Sequence, residues 1–311
     1  MQGRVINLNG GIYKVLLDDD TIIDVKARGK LRSEKKYQVN EKSQSKKEVM
    51  QTVKNSPKVG DIVVIENDMI DHYLERKNSL IRPDIANVDQ ILLVFAAKEP
   101  DFSYYLLDMF IVNITMYNIK PLIVISKIDK MSKEELDNLK NGMEYYKTLD
   151  FDVVYVNSLT KEGTDELAAD LDNKITVLSG QTGAGKSTLI NAIIPEFNLK
   201  TQEISQALGR GKHTTRESNL YRYKNGFIGD TPGFSKLDLF KMDKNDLKNY
   251  FPEFKKFQCK FSDCNHQENI LGCMVHQAAL DGDILYSRYE NYIKMFNQIG
   301  DTKKWKFHYL F

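Results

Sequence analysis

Three features are scarce in this chain of 311 residues: cysteine, net charge and long apolar runs. Three cysteines, an odd number, argue against a secreted disulfide scaffold and favour a reducing compartment. The 44 Lys and Arg nearly balance the 43 Asp and Glu, and a net charge of +1 argues against a uniformly basic nucleic-acid coat protein.

The beginning of the chain lacks the apolar stretch of a signal peptide. The longest strongly apolar run, residues 91–97, is far short of the ~20 residues that span a bilayer. We therefore expect a soluble, cytoplasmic protein with no membrane partner. Hydrophobic residues nevertheless make up 41% of the chain, which is enough for a packed core and excludes a wholly disordered protein. The length suggests two or three domains.

Short strand-like runs, separated by turn signals such as Gly10-Gly11, fill about the first 67 residues. Five such runs predict a small OB-type β-barrel as the first domain, residues 1–67. The runs are residues 3–7, 12–17, 21–25, 37–39 and 61–65.

Residues 26–58 carry most of the local charge asymmetry. They include eleven Lys or Arg against three Glu, a surplus of eight positive charges. One interpretation is a solvated, partly disordered loop. The other, which we favour, is a surface that contacts a phosphate backbone.

Beyond residue 83, apolar runs rich in β-branched residues alternate with helical patterns. Residues 104–117 and 133–149 fit helices, the second with Ser132 as N-cap. This alternation predicts an α/β domain, residues 68–236, whose parallel sheet is covered on both faces. The predicted strands are residues 90–96, 121–126, 152–157, 174–179 and 226–229.

A complete phosphate-loop motif, G-x-x-x-x-G-K-[ST], follows the predicted strand that ends at residue 179 and precedes a helical pattern. Glycines let backbone N–H groups turn toward a phosphate, the lysine reaches the β- and γ-phosphates, and the serine hydroxyl ligates Mg²⁺. This context argues against a chance match in a Gly-rich turn. The motif and the next residue are Gly180, Gln181, Thr182, Gly183, Ala184, Gly185, Lys186, Ser187 and Thr188.

Asp230-Thr-Pro-Gly233 follows another predicted strand, about 45 residues after the phosphate loop. The Asp230 carboxylate can hold Mg²⁺ through water, and the Gly233 N–H can sense a γ-phosphate. At this spacing the motif indicates the D-x-x-G switch of a nucleotide hydrolase.

A guanine-reading loop is predicted at a strand end more than 50 residues before the phosphate loop: Ser126, Lys127, Ile128 and Asp129. The Asp129 carboxylate can accept hydrogen bonds from guanine N1–H and the 2-amino group, and the Lys127 stem can stack on the purine. Asn157 and Ser158 fit the loop that supports the base. The order of these loops predicts a circularly permuted GTPase, which a parallel sheet tolerates because its packing depends on strand neighbours.

The three cysteines cluster with a histidine near the end of the chain. Three thiolates and one imidazole within 15 residues are typical of a closed, structural zinc site. By spacing alone the imidazole can come from His266 or from His276. We expect a mostly helical domain here, residues 237–311, with an amphipathic helix over 282–296. The cysteines are Cys259, Cys264 and Cys273.

Across nearly its whole length, the sequence resembles the RsgA (YjeQ, YloQ) family of circularly permuted, ribosome-small-subunit-dependent GTPases. The motifs that carry the resemblance are residues 82–90, the phosphate loop, residues 211–216, residues 230–233 and the cysteine cluster after residues 251–254.

The resemblance implies a cytoplasmic GTPase that binds the 30S subunit late in its assembly and is stimulated by it. It implies an N-terminal OB barrel, a C-terminal zinc domain with His266 as the fourth ligand, and GTP or GDP, Mg²⁺ and one Zn²⁺ as bound groups. The family usually has Asn or Thr where this chain has Ser126. We expect that the shorter serine cannot reproduce an Asn contact to the base and the phosphate loop, while Asp129 keeps the guanine preference.

Hydrolysis requires a residue other than the usual glutamine, because Phe234 stands directly after D-x-x-G. The nearest replacement is His213, which the resemblance also marks as the suspected catalytic residue, with Lys186 on the phosphates and Thr215 completing the Mg²⁺ shell. The alternative is that His213 only contacts rRNA or packs in an ordered loop. We expect slow intrinsic turnover and a partner that orders this segment.

Three rival functions remain. A pure rRNA-binding module would leave Lys186, Ser187 and Asp230 free to vary, yet all three are intact. An ATP-using kinase would lack the guanine loop and would need an acceptor site. A translation or transport GTPase fits less well, because the basic stretch and the cysteine cluster flank the GTPase domain as if to meet a large RNA such as 16S rRNA. No heptad pattern suggests a dimer, and we expect a monomer.

Overall fold

The computed structural model describes residues 1–31, 34–39, 48–53, 56–81, 83–195, 218–230 and 242–305, with the backbone alone at residues 30, 34–39, 48–53, 230 and 300–305. The chain forms two compact units. The first unit comprises the described residues within 1–89, 171–177 and 212–233. The second comprises the described residues within 90–170, 178–211 and 234–311.

Five strands of the first unit close a small barrel: β1 (Gln2–Asn9), β2 (Ile12–Leu17), β3 (Ile22–Ala27), β6 (Ile62–Glu66) and β7 (Met69–Tyr73). They pair in the order β1-β2-β3-β7-β6, and β6 returns to β1. Along most of β1, β2, β3 and β6, buried side chains alternate with more exposed ones, because successive residues point to opposite faces. The interior is filled by Val5, Val15, Val25, Val63, Ile65 and Ile70. The predicted barrel is confirmed.

The fourth of the five predicted strands is not part of the barrel. Residues 37–39 lie in β4 (Glu34–Val39), which pairs with β5 (Glu48–Val53) as a separate hairpin. The strand that takes the place in the barrel is β7, which pairs parallel to β3. Only Ile70 of β7 is fully buried, so its apolar pattern is weak. The side chains that carry most of the basic surplus of residues 26–58 lie outside the described residues.

The rest of the first unit extends the sheet. In it, β12 (Asn219–Tyr223) pairs antiparallel with β13 (Gly226–Asp230), which pairs parallel with the beginning of β11 (Ile175–Gly180). The predicted strands at residues 174–179 and 226–229 are therefore confirmed within one residue at each end.

The second unit contains the parallel strands β8 (Gln90–Ala96), β9 (Pro121–Ser126) and β10 (Val153–Tyr155). Every residue of β8 and β9 is buried, as expected for strands covered on both faces. The Ser132 hydroxyl accepts the Glu135 N–H, so the predicted N-cap is confirmed. The helices of this part are α1 (Tyr104–Thr115), α2 (Lys133–Thr148), α3 (Thr164–Asp170) and α4 (Lys186–Ile193).

Residues 242–305 are mostly helical, as predicted, with α5 (Met274–Asp281) and α6 (Tyr286–Trp305). The predicted helix over 282–296 begins later, because Gly282 adopts a left-handed conformation (φ +86°) and ends α5 instead. Apolar side chains of this segment share one core with Val112 of α1. Within the described part of the chain, no helix is both long and apolar enough to cross a membrane.

Candidate nucleotide and metal sites

Glycines permit the backbone path of the phosphate loop. Gly180 has φ +118°, and a Cβ atom at this position would lie 2.1 Å from the Val94 carbonyl oxygen. Gly183 and Gly185 also adopt left-handed conformations, with φ near +80° at both. No other residue adopts these angles without strain, so the loop can place its N–H groups around a phosphate.

Lys186 begins α4 directly after the Gly185 N-cap, at the positive end of the helix dipole. Its ammonium group donates to the carbonyl oxygens of Gly180 (3.0 Å) and Gln181 (2.7 Å). Burial lowers the pKa of Lys186. The ammonium group is therefore held by the backbone of its own loop before any ligand binds.

The other side chains of the loop divide into two groups. Ala184 is buried, whereas Thr182, Ser187 and Thr188 are exposed and available to a ligand. The Gln181 side chain also contacts a neighbouring loop, since its Nε2 donates to the Asp101 carbonyl oxygen at 3.1 Å.

The predicted guanine loop lies at the carboxyl end of β9. Lys127 adopts a left-handed conformation (φ +56°), and a short 3-10 helix, Ile128–Lys130, follows. Ile128 is buried and anchors this turn, while Asp129 is exposed. The local fold therefore presents the Asp129 carboxylate outward, as reading a base requires.

Ser126 contacts the phosphate loop, whereas we expected that serine could not reproduce the contact that Asn makes there. Its hydroxyl is buried, 2.6 Å from the Ala184 carbonyl oxygen and 3.2 Å from that of Phe95. A hydroxyl has one proton to donate, and the shorter distance favours Ala184. The base loop and the phosphate loop are thus joined directly by Ser126.

Asn157 shapes the loop after β10. Its side-chain oxygen accepts the N–H groups of Leu159 (3.0 Å) and Thr160 (3.4 Å), which closes a local turn. The Val156 N–H donates to the Ile125 carbonyl oxygen, so this turn begins beside the base loop. Ser158, half-buried, is the next residue. The described geometry thus brings residues 126–129 and 157–158 together.

A further loop at this end of the sheet escaped the sequence analysis. Residues 97–102 follow β8, and the Glu99 carbonyl oxygen accepts from the Lys127 ammonium at 2.5 Å. The Asp101 carbonyl oxygen accepts from Gln181, as described above. This 97–102 loop therefore contacts both nucleotide loops. Its position after the predicted strand 90–96 was the available signal, because ligands of such folds bind at the carboxyl ends of parallel strands.

The remaining candidates of the hydrolytic site fall outside the described geometry. Asp230 is the last residue of β13, described by its backbone alone, and Gly233 lies outside the described residues. His213 and Thr215 also lie outside them. Their predicted roles stay predictions.

The three cysteines and His266 meet at one point, with their ligand atoms all within 4.8 Å of one another. The His266 Nδ1 lies 3.5 Å from the Cys259 sulfur and 3.7 Å from the Cys273 sulfur, and these two sulfurs are 4.0 Å apart. Zn–S bonds of about 2.3 Å in a tetrahedron separate neighbouring sulfurs by about 3.8 Å. The donor set and its spacing therefore fit one zinc ion.

The surroundings suit metal binding. Burial, together with the nearby Lys248, lowers the pKa of His266 to about 4, which keeps the imidazole in the neutral form that binds metals. The backbone N–H of His266 points at the Cys264 sulfur (3.4 Å), and the backbone N–H of His276 points at the Cys273 sulfur (3.3 Å). The His276 ring stacks on Tyr289 with centroids 5.4 Å apart, and His276 is not among the four residues whose ligand atoms meet.

Comparison with known proteins gives a consistent result. The family model described as RsgA GTPase matches residues 73–240. A curated relative, "Small ribosomal subunit biogenesis GTPase RsgA" of Phytoplasma australiense, is 43% identical over 308 residues, which cover 96% of this chain and 97% of the relative.

Two solved structures resemble the chain over nearly its full length. The crystal structure of YjeQ from Thermotoga maritima has a TM-score of 0.78 and 33% identity, covering 96% of this chain and 98% of that one. The crystal structure of YloQ, described as a circularly permuted GTPase, has a TM-score of 0.74 and 32% identity, covering 97% and 95%. The order of loops in this chain is the permuted one.

Proposed function

The chain belongs to the RsgA GTPase family, and we propose on this basis that it is a GTPase of small ribosomal subunit biogenesis. It hydrolyses GTP to GDP and phosphate and acts on the small subunit. The observation that carries the proposal is the joining of a phosphate loop and a base loop, through Ser126 and Ala184, at the carboxyl ends of parallel strands.

Nucleotide binding divides among the loops. The N–H groups of residues 180–188 and the Lys186 ammonium hold the phosphates, and Asp129 selects guanine by accepting from its N1–H and 2-amino groups. Ser187 and Thr215 would hold Mg²⁺, with Asp230 acting through water and Gly233 sensing the γ-phosphate. The ion, when bound, neutralises charge that develops on the phosphates.

His213 is the residue that we propose to orient the attacking water, because Phe234 cannot. The expected result of His213→Ala is loss of turnover stimulated by the 30S subunit with nearly unchanged GTP affinity. A loss of affinity as large as the loss of rate would contradict the catalytic role.

The partner proposal extends to 16S rRNA on the 30S subunit, in the cytoplasm, with the protein acting as a monomer. The surplus of positive charge in residues 26–58 supports an RNA partner. One zinc ion held by Cys259, Cys264, His266 and Cys273 would organise the C-terminal domain. The proposed domains are an OB domain (residues 1–67), the GTPase domain (68–236) and this C-terminal domain (237–311).

Phosphate release from GTP and from ATP, each with and without purified 30S subunits, tests this function. We expect slow GTP turnover that rises at least about tenfold with 30S subunits, while ATP stays inert. If 30S subunits did not change GTP turnover, the partner proposal would fail, and the proposal of a nucleotide hydrolase would stand. Equal use of ATP would remove guanine selection by Asp129.

A further inference from the structure

A buried cluster of charges contains none of the residues assigned to the nucleotide and metal sites. Arg288 of α6, Asp108 of α1 and Glu253 of the 3-10 helix Pro252–Lys256 are at most 2% exposed. The Arg288 guanidinium pairs with both carboxylates, through Nη1 with Asp108 and through Nε with Glu253.

Neutral groups complete the cluster. The Tyr146 hydroxyl of α2 donates to Asp108 at 2.9 Å, and the Asn291 amide donates to the other oxygen of the same carboxylate at 2.7 Å. The guanidinium also lies over the rings of Tyr146 (5.2 Å) and Phe251 (5.0 Å). Each charged group is therefore held in one orientation by several partners.

Burying these three charged groups carries a large desolvation penalty. Burial raises the pKa of Asp108, although Arg288 opposes the shift. Burial alone would lower the pKa of Arg288, but Asp108 and Glu253 raise it above its ordinary value. Apolar side chains of similar volume are often as stabilising as buried ion pairs, so stability alone does not account for the cluster. The rigid, planar guanidinium group also fixes the orientation of each carboxylate that pairs with it.

Of the elements that Arg288 contacts, the helix α1 is the one that leads to the nucleotide site. This helix begins after its N-cap Ser103, directly behind the 97–102 loop, and Asp108 lies five residues further on. At 1.5 Å per residue this is only about 7.5 Å of rigid helix. The position of α1 at Asp108 therefore determines where the 97–102 loop meets Lys127 and Gln181.

We propose that Arg288 is a positioning residue for the nucleotide site: through Asp108 it holds α1 so that the 97–102 loop buttresses the phosphate loop at Gln181 and the base loop at Lys127. In this role Arg288, which is 1% exposed, acts through α1 and not by contact with the nucleotide. The C-terminal segment that bears the candidate metal ligands thus contributes to nucleotide affinity. The inference rests on the proposed nucleotide function.

The first test compares the affinity of the full-length protein for a fluorescent GDP analogue before and after Arg288→Met. We expect affinity to fall by about tenfold, with no matching fall in the titrated fraction of binding-competent molecules. Lys294→Met, an exposed site on the same helix, is the matched control and should leave affinity unchanged. Two results would overturn the proposal. One is an unchanged affinity in Arg288→Met, and the other is a smaller fraction of binding-competent molecules that bind with normal affinity.

A second variant separates positioning from stability, because Arg288→Met strands two buried carboxylates and can unfold the protein. The triple variant Asp108→Asn, Glu253→Gln, Arg288→Met removes every charge of the cluster. We expect its thermal stability to recover relative to the single variant while GDP affinity stays weak. Recovery of affinity together with stability would show a merely structural role.

A double-mutant cycle traces the route. Gln181→Ala removes the hydrogen bond between the phosphate loop and the 97–102 loop, so Arg288→Met should weaken GDP binding less in that background. We expect non-additivity of about threefold or more, and additive effects would contradict the route. If the wild-type protein bound no GDP, the proposed function would fail. If the wild-type protein bound GDP and the losses of affinity in the two variants were additive, only the positioning role would fail.

Discussion

The candidate metal ligands and the nucleotide loops differ in how far apart their parts lie in the sequence. The four metal ligands come from 15 consecutive residues, and little regular structure connects them. The nucleotide loops each follow a different strand and are placed by the sheet: residues 97–102, 126–129, 157–158 and 180–188. The first site would depend on the proposed metal ion to hold its segment together, and the second depends on backbone pairing, so the two should fail in different ways.

Loss of a metal ligand should have the largest effect on stability. We expect Cys264→Ser to lose zinc and to lower the free energy of unfolding by several kcal/mol, because structural zinc contributes about 10–16 kcal/mol in zinc-finger peptides. Zinc content and thermal unfolding measure it. His276→Ala is the control, since His276 lies outside the ligand set, and loss of zinc in that variant would show a wrong ligand assignment.

Lys186→Ala should do the reverse and affect chemistry far more than folding. The ammonium group is held in place before the ligand arrives. Its removal should lower GTP turnover by about a hundredfold or more, as the loss of one preorganised electrostatic contact does in other enzymes. Phosphate release and a melting curve of the same sample check this. A melting temperature that falls as the activity falls would mean that Lys186 supports the fold rather than the reaction.

Gly180→Ala should affect both fold and nucleotide binding, because the new Cβ would meet the Val94 carbonyl oxygen. Backbone strain at such a position costs about 1–3 kcal/mol, and the clash adds to it. Gly10→Ala separates the two causes, since Gly10 also has positive φ but nothing within 4 Å of the new atom. Chemical denaturation of both variants measures the difference, and equal losses would remove the clash from the explanation.

Ser126→Ala should have the smallest effect, and that effect should include weaker nucleotide binding. Losing the contact to the Ala184 carbonyl oxygen leaves a buried acceptor without its donor, at a cost of about 1–3 kcal/mol. Affinity for GDP should fall by about fivefold or more, as titration with a fluorescent analogue can show. Ser132→Ala removes a hydroxyl at the α2 N-cap and should lower stability without changing GDP affinity. A drop in affinity of equal size in both variants would argue against a specific tie between the loops.

The features that the sequence predicts correctly are those with local determinants. The strands β8 and β9 were predicted at their observed bounds because buried parallel strands are continuous apolar runs. The Ser132 cap and the loop glycines follow from backbone chemistry that neighbours in the sequence provide. The barrel was predicted with one strand misassigned, since β7 has only one fully buried residue and carries a weak pattern.

The sequence by itself determined the permuted order of the nucleotide loops, the glycines of the phosphate loop and the identity of the cysteine cluster. Each depends on residue types at short, fixed spacings. Only the tertiary structure decided that Ser126 reaches Ala184, that the 97–102 loop joins the nucleotide site, and that Arg288 meets Asp108 across 180 residues of chain. Such contacts arise from packing between distant segments, and no local pattern of charge or hydrophobicity records which segments will meet.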